Sequence, residues 1–298
     1  MLGVKAMAAT TVAILGTGKM GGAMARRLHQ QGFELRLWNR TRQRAEQLGF
    51  GAVLNTPAEA ATEADFVISM LTDSAAVRQA YLGPDGALEA KGSRAYIDSS
   101  TVDPKPHEDL AQAAAQRGSI FVEAPVLGSV PAVEAGKLFI MVGGEPDAFE
   151  RVRPVLQVLG DVRYIGPMGA AARLKLVANS MLAIINAGAS ELYNAGVRAG
   201  LDRERVWEVL TRLAPFLEAR RAGFMDGRYE PVLFRLADMV KDLGLASGLY
   251  RDIGMDTPLT QTAKELFQRA AQDHSEQDLA AIAALWRGPI GAAPAGRR

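Results

Sequence analysis

The chain is predicted to be an α/β protein: a doubly wound, mostly parallel sheet followed by an all-α C-terminal domain, the two joined by a long helix. Three observations predict this. Short, near-continuous apolar runs alternate with helical periodicity through residues 11–165, the pattern of strands covered on both faces by helices. Residues 11–42, TVAILGTGKMGGAMARRLHQQGFELRLWNRTR, set Gly16-x-Gly18-x-x-Gly21 between a strand pattern and a helix pattern, with a second strand after Gly32. After Gly166-Pro167 the alternation stops, and one helical pattern runs from Ala170 to Ala199 with no interior proline. The boundary is placed there, giving a Rossmann-type domain over residues 1–167 and a helical domain over 168–298.

The expected strands are Val12–Leu15, Glu34–Trp38, Phe66–Leu71, Ala95–Asp98, Ile120–Glu123, Leu138–Val142 and Arg163–Ile165. Between them the clearest helices are Pro104–Arg117, which Asp103 can cap, and Asp147–Leu159, which Pro154 should kink. In the second domain Gly188 and Gly196 weaken the long pattern without ending it. Further helices are expected at Arg203–Leu213, Leu233–Ile253, Pro258–Ala271 and Gln277–Trp286, with Asp202, Thr257 and Ser275 as N-caps and a frayed tail GAAPAGRR.

Bulk composition narrows the function. At 298 residues the chain can hold two domains and a large core, and a net charge of +1 with 22% charged residues disfavours nucleic acid or an anionic membrane as the main partner. No cysteine is present, which removes disulfides, thiolate nucleophiles and cysteine–zinc sites and fits a cytoplasmic location. Residues 1–10 are too short for a signal peptide, and no apolar stretch spans a bilayer. An all-helical domain rich in alanine and leucine suits burial against a copy of itself, so a homodimer or homotetramer is expected.

The glycine turn sits in the strand–turn–helix–strand context of a dinucleotide fingerprint. Gly16 allows the tight turn, Gly18 the close approach of a pyrophosphate, and Gly21 the packing of helix on sheet. Lys19 and Met20 belong to the first helical turn, whose amides and dipole favour phosphate. At the end of the second strand, where an NAD site usually carries a carboxylate, the chain has Asn39, Arg40 and Thr41. An amide, a guanidinium and a hydroxyl can all donate to a 2′-phosphate, so NADP is expected rather than NAD.

Histidine, tyrosine and metal devices are set aside. His29, His107 and His274 all read as surface residues, none spaced with carboxylates for a metal, and no tyrosine has lysine four positions later. That excludes a zinc alcohol dehydrogenase and disfavours histidine-based and short-chain dehydrogenases. The remaining proton donor is Lys175, in RLKLVAN, where burial on an apolar face beside Arg173 would lower its pKa. Asn179 follows one turn later on the same face. Spacing alone leaves an ordinary solvated lysine with a polar neighbour equally open.

Residues 12–24, IDSSTVDP (97–104), EAPVLGS (123–129), GAAARLKLVAN (169–179) and MVKDLGLA (239–246) resemble, in order and spacing, the five motif blocks of the β-hydroxyacid dehydrogenase family. That family includes 3-hydroxyisobutyrate dehydrogenases and glyoxylate/succinic semialdehyde reductases. The resemblance implies that Lys175 is the catalytic lysine and that Asn179 helps hold the substrate. It implies that Met70 and Leu71 line the cofactor groove through their backbone, that Ser100 bonds the substrate, and that Thr101 contacts the cofactor near the nicotinamide. Lys241 would reach the cofactor from the second domain, with Asp242 on the adjoining turn. One departure stands out: many relatives have Ser-Gly-Gly after Ala-Pro-Val, and this chain has Leu127-Gly128-Ser129. Leucine cannot donate to a substrate carboxylate, which leaves the Gly128 and Ser129 amides and the Ser129 hydroxyl to do so. Pro131, where many relatives have glycine, points to an altered loop.

The expected function is therefore an NADP-preferring oxidoreductase that interconverts a small hydroxy acid and its semialdehyde, with Lys175 as general acid or base and no metal. The alternatives are an NAD-dependent 3-hydroxyisobutyrate or L-serine dehydrogenase and, outside enzymes, a nucleotide-binding sensor or scaffold.

Overall fold

A computed structural model describes residues 10–287. The expectations for residues 1–9 and for the tail GAAPAGRR lie outside them. The described part divides into two compact units, one ending at Lys175 and one beginning at Leu176.

Among the described residues the first unit is built on nine strands: β1 Thr11–Leu15, β2 Glu34–Trp38, β3 Ala52–Val53, β4 Phe66–Ser69, β5 Ala95–Asp98, β6 Ile120–Glu123, β7 Val126–Leu127, β8 Leu138–Gly143 and β9 Gly160–Gly166. They lie in the order β3-β2-β1-β4-β5-β6-β8-β7, with β9 on β8. From β3 to β6 every pairing is parallel, the strand order of a Rossmann sheet. β8 then runs antiparallel to β6 and β7, and β9 parallel to β8.

The near-continuous apolar runs follow from burial on both faces. Val12 and Ile14 of β1 join one core with Met24 and Leu28 of the helix Lys19–Gln30. Ala13 and Leu15 point the other way, into a core with Val77 and Tyr81 of the helix Ser74–Leu82. Period-two alternation thus feeds two hydrophobic layers from one strand.

The second unit is all helical. Its core gathers Tyr193, Trp207, Phe224 and Phe267, and its helices are the remainder of Ala170–Arg198, then Arg203–Leu213, Arg221–Asp226, Leu236–Asp252 and Pro258–His274. Among the described residues, no helix is long and apolar enough to cross a membrane.

Several expectations are corrected. The two-residue strands β3 and β7 were not expected, because neither run is long enough to show a period. The segment expected as a helix over 277–286 is a 3-10 helix, Leu279–Leu285, capped by Asp278, whose carboxylate accepts from the Ala280 amide. Ser275 is not an N-cap but the C-cap of the preceding helix, which continues to His274. Asp103 and Asp202 cap as expected, accepting from Lys105 and Arg205.

Candidate functional site

The glycine turn is over-determined by backbone contacts. Gly16 has φ +96°, and a Cβ there would strike the Met70 carbonyl oxygen and the Leu71 side chain. A Cβ on Gly21 would overlap the Gly16 carbonyl oxygen. Gly18 is different: a Cβ there would meet no protein atom within 4 Å. Gly18 is also the N-cap of the helix Lys19–Gln30 and offers no side chain to its amides. Beside it, Thr17 Oγ1 is buried without a hydrogen-bond partner among the described residues. An uncapped helix N-terminus, open space at Gly18 and an orphaned hydroxyl together fit a phosphate-bearing ligand.

β2 delivers Asn39 to this turn. Its Oδ1 accepts from the Thr17 amide at 2.9 Å, and its Nδ2 donates to the Thr41 carbonyl at 2.9 Å. Asn39 therefore ties the glycine turn to the β2 end. Arg40 and Thr41 are exposed, whereas Arg42 is engaged by Glu46 and Asn55. Met70 and Leu71 follow directly on β4, and Met70 donates to the Leu15 carbonyl at 2.9 Å, which sets this loop beside the turn.

The ends of β4, β5 and β6 carry a buried polar chain. The Leu71 amide donates to Ser100 Oγ at 2.8 Å, and the Ser100 hydroxyl donates to Asp98 Oδ1 at 2.6 Å. Ser69 Oγ donates to the same oxygen at 2.5 Å and meets the Tyr81 hydroxyl at 2.8 Å. Asp98 Oδ2 lies 2.7 Å from His107 Nε2, and His107 Nδ1 lies 2.8 Å from Glu123 Oε2. Glu123 Oε1 accepts from the Ala171 and Ala172 amides at 2.8 and 3.2 Å, at the start of the helix that carries Lys175. Each ring nitrogen faces its own carboxylate, and among the described residues no three His, Asp or Glu are placed to hold a metal.

This corrects the reading of His107 as a surface residue: its side chain is 0% exposed. His29 is exposed and stacks on Phe50, and His274 is half-buried against Gln277. A periodicity signal for His107 was available, since it shares a helix face with the buried Leu110 and Ala114.

Burial disfavours the imidazolium, yet hydrogen bonds to Asp98 and Glu123 raise His107 to a pKa of about 9. Burial alone would raise Asp98, but the bonds from His107, Ser100 and Ser69, with the imidazolium charge, hold it below the usual carboxylate value. His107 thus contributes stability that is complete below its ordinary 6.5 and is lost as pH rises through about 9. Asp98 contributes stability that is present above its ordinary 3.8 and is lost as pH falls through its lower folded value. The melting temperature should therefore decline between pH 6.5 and about 9, and by less in His107→Gln. Thermal melts across that range check this, and equal declines in both proteins would contradict it.

Gly128 has φ +126°, and a Cβ there would strike Leu138 and Ala132. Leu127 pairs with Phe139 in β7–β8 and is half-buried. Ser129 is the N-cap of the short helix Val130–Glu134, and Pro131 lies in its first turn, a position that tolerates proline.

In the second unit, Asn179 Nδ2 donates to Asp242 Oδ2 at 2.5 Å, and Lys241 Nζ lies 2.8 Å from Asp242 Oδ1. Asp242 is buried and so organises both neighbours. Lys175 and Asn179 lie one turn apart on the continuous helix Ala170–Arg198, and Lys175 is half-buried. The structure gathers the glycine turn, Asn39, Met70, Leu71 and Ser100 in the first unit, and Asn179 and Lys241 around Asp242 in the second. Sequence reasoning passed over Thr17 and Glu123 and gave Asp242 no partner.

Residues 11–169 match the family described as the NAD binding domain of 6-phosphogluconate dehydrogenase. Residues 169–286 match the family described as NAD-binding of NADP-dependent 3-hydroxyisobutyrate dehydrogenase. The chloroplastic glyoxylate/succinic semialdehyde reductase 2 of Arabidopsis thaliana is 30% identical over 280 residues, covering 91% of this chain and 78% of that protein. The 3-hydroxyisobutyrate dehydrogenase of Pseudomonas aeruginosa is 33% identical over 304 aligned positions, covering 94% of this chain and 99% of that protein. Among solved structures, Psf3 in complex with NADP+ and 2-OPP superposes with a TM-score of 0.84 at 28% identity, covering 93% of this chain and all of that one.

Proposed function

Because this chain belongs to the β-hydroxyacid dehydrogenase family and is an NAD(P)-dependent oxidoreductase, we propose that it interconverts a small hydroxy acid and its semialdehyde, preferring NADP. The observation that carries the cofactor reading is the glycine turn, where Gly18 leaves open space beside the orphaned Thr17 hydroxyl. Bound NADPH would supply the hydride. Gly16, Gly18, Lys19, Met20 and Gly21 would cradle the pyrophosphate with backbone amides, and the Met70 and Leu71 backbone would line the groove. Thr101 and Lys241 would fix the nicotinamide end.

Lys175 acts as general acid, donating a proton to the carbonyl oxygen as the carbon is reduced and taking it back in the reverse direction. Ser100, Asn179 and the Gly128–Ser129 amides hold the substrate. In this reading Leu127 selects against the contact that a serine would make with a substrate carboxylate. The alanine- and leucine-rich helical unit supports assembly as a homodimer or homotetramer.

NADP preference rests on Asn39, Arg40 and Thr41, since no carboxylate stands at the β2 end. Asn39→Asp keeps the acceptor for the Thr17 amide, but it sets an oxygen against the Thr41 carbonyl and a negative charge against the 2′-phosphate. We expect kcat/KM with NADPH to fall about ten- to a hundredfold in this variant, with a smaller change for NADH. Steady-state rates with both coenzymes check this. A wild-type protein that prefers NADH would contradict the preference.

A further inference from the structure

We infer that His107 is a positioning residue for this reaction: held between Asp98 and Glu123, it fixes Ser100 and the Leu71 amide at one end and the first turn of the Lys175 helix at the other. The inference rests on the roles proposed above for Ser100, Leu71 and Lys175.

The direction of every bond supports it. The Ser100 hydroxyl receives the Leu71 amide and spends its own proton on Asp98. Glu123 Oε1 is taken by the Ala171 and Ala172 amides. The two carboxylate oxygens that remain, Asp98 Oδ2 and Glu123 Oε2, can only accept, so the ring must donate from both nitrogens. Only the imidazolium does that. Asp98, His107 and Glu123 are each 0% exposed, so water cannot replace a lost donor.

The two ends of the chain are places where geometry matters. Ala171 lies four residues before Lys175, on the same helix face one turn below it, so Glu123 anchors the turn directly beneath the one from which Lys175 projects. Its negative charge also suits a helix N-terminus. At the other end, Leu71 and Ser100 sit beside the glycine turn. Gly143 supports the arrangement, since a Cβ there would strike the Glu123 carboxylate. Stability alone is a weak reason for such a triad, because apolar groups of similar volume commonly pack as well.

The groups facing His107 are few. Asp98 reaches it from β5 and Glu123 from β6, while the Tyr81 hydroxyl reaches Asp98 only through Ser69 on β4. The Phe121 ring beside it carries no charge. On its own helix, Glu108 is exposed and turns to Lys105 and Arg173. Loss of the imidazolium proton at alkaline pH therefore removes one donor from this chain, and no neighbouring group replaces it.

The test combines turnover at saturating coenzyme and substrate with residue-resolved amide hydrogen exchange, across neutral to alkaline pH. Wild-type kcat should fall on a limb centred near pH 9. In His107→Gln, kcat at neutral pH should fall about tenfold and the limb should vanish. Protection should drop about tenfold at the Leu71, Ala171 and Ala172 amides while the β1 amides keep theirs. The double variant His107→Gln/Glu123→Gln lets the amide introduced at 107 donate to Asp98 and the one at 123 donate to its neighbour, and it should recover most of the lost kcat with no limb. Wild-type kcat and an unmoved limb in His107→Gln would overturn the inference, as would a uniform loss of protection. If the variants do not fold, wild-type exchange decides it, because the same three amides should lose protection selectively as pH passes about 9. Absence of turnover in the wild-type protein would defeat the proposed reaction alone, and the exchange pattern would still read the wiring.

Discussion

Lys175→Ala is expected to lower kcat about a hundredfold or more while the dissociation constant for NADPH stays within about threefold. The split follows from where the residue sits. Lys175 projects from the second turn of the helix Ala170–Arg198, while the amides and glycines proposed to hold the coenzyme belong to the turn after β1 and the loop after β4. Removing the ammonium takes away the proton donor and leaves the cradle intact. The first turn of the helix remains tied by Ala171 and Ala172 to Glu123, so the alanine variant should keep the same backbone. Stopped-flow hydride transfer and fluorescence titration with NADPH separate the two quantities. Near-normal turnover in Lys175→Ala would overturn the assignment of the proton donor.

The second large effect is a contrast between two glycines of one turn. Gly21→Ala sets a methyl group on the Gly16 carbonyl oxygen and against the Met70 Cβ at 3.4 Å. Both obstacles are close to rigid backbone, so the helix Lys19–Gln30 must move off the sheet. A loss of about 2–4 kcal/mol in stability is expected, together with at least about a hundredfold in NADPH affinity. Gly18→Ala should behave differently. A methyl group there meets no protein atom within 4 Å, and Gly18 has φ −66°, which alanine adopts without strain. Its melting temperature should match the wild type, while its NADPH affinity falls about tenfold or more, because the methyl occupies the space a pyrophosphate would enter. Melting curves and titrations on both variants suffice. Unchanged binding in Gly18→Ala would place the phosphates elsewhere.

How much of this was legible in the sequence depends on the range of the interaction. Strands declared themselves: Ala95–Asp98 and Ile120–Glu123, buried on both faces, and Glu34–Trp38, with its alternating Leu35 and Leu37 buried, have the limits the sequence predicts. So does the helix Arg203–Leu213, whose start is marked by Asp202. Two-residue strands have no period to read, and β3 and β7 exist only because a neighbour offers a free edge. The tie between His107 and Glu123 spans 16 residues and requires β5 and β6 to be adjacent, which no local pattern states. The bond from Asn179 to Asp242 spans 63 residues in the same way. In both cases residue type and helical face were visible beforehand, but the partner was not. The glycine turn is the opposite case, because its chemistry is carried by backbone contacts within a few residues, and these are what glycine at 16 and 21 records.

NADP-linked interconversion of a small hydroxy acid and its semialdehyde is checked by coenzyme oxidation on a substrate panel. Glyoxylate, succinic semialdehyde and methylmalonate semialdehyde would be offered with NADPH and with NADH, and 3-hydroxyisobutyrate and L-serine in the reverse direction with the oxidised coenzymes. Turnover with NADPH is expected, with slower turnover with NADH and one clearly preferred short acid that the Leu127 side chain admits. Tight NADPH binding with no turnover on any member of the panel would contradict it.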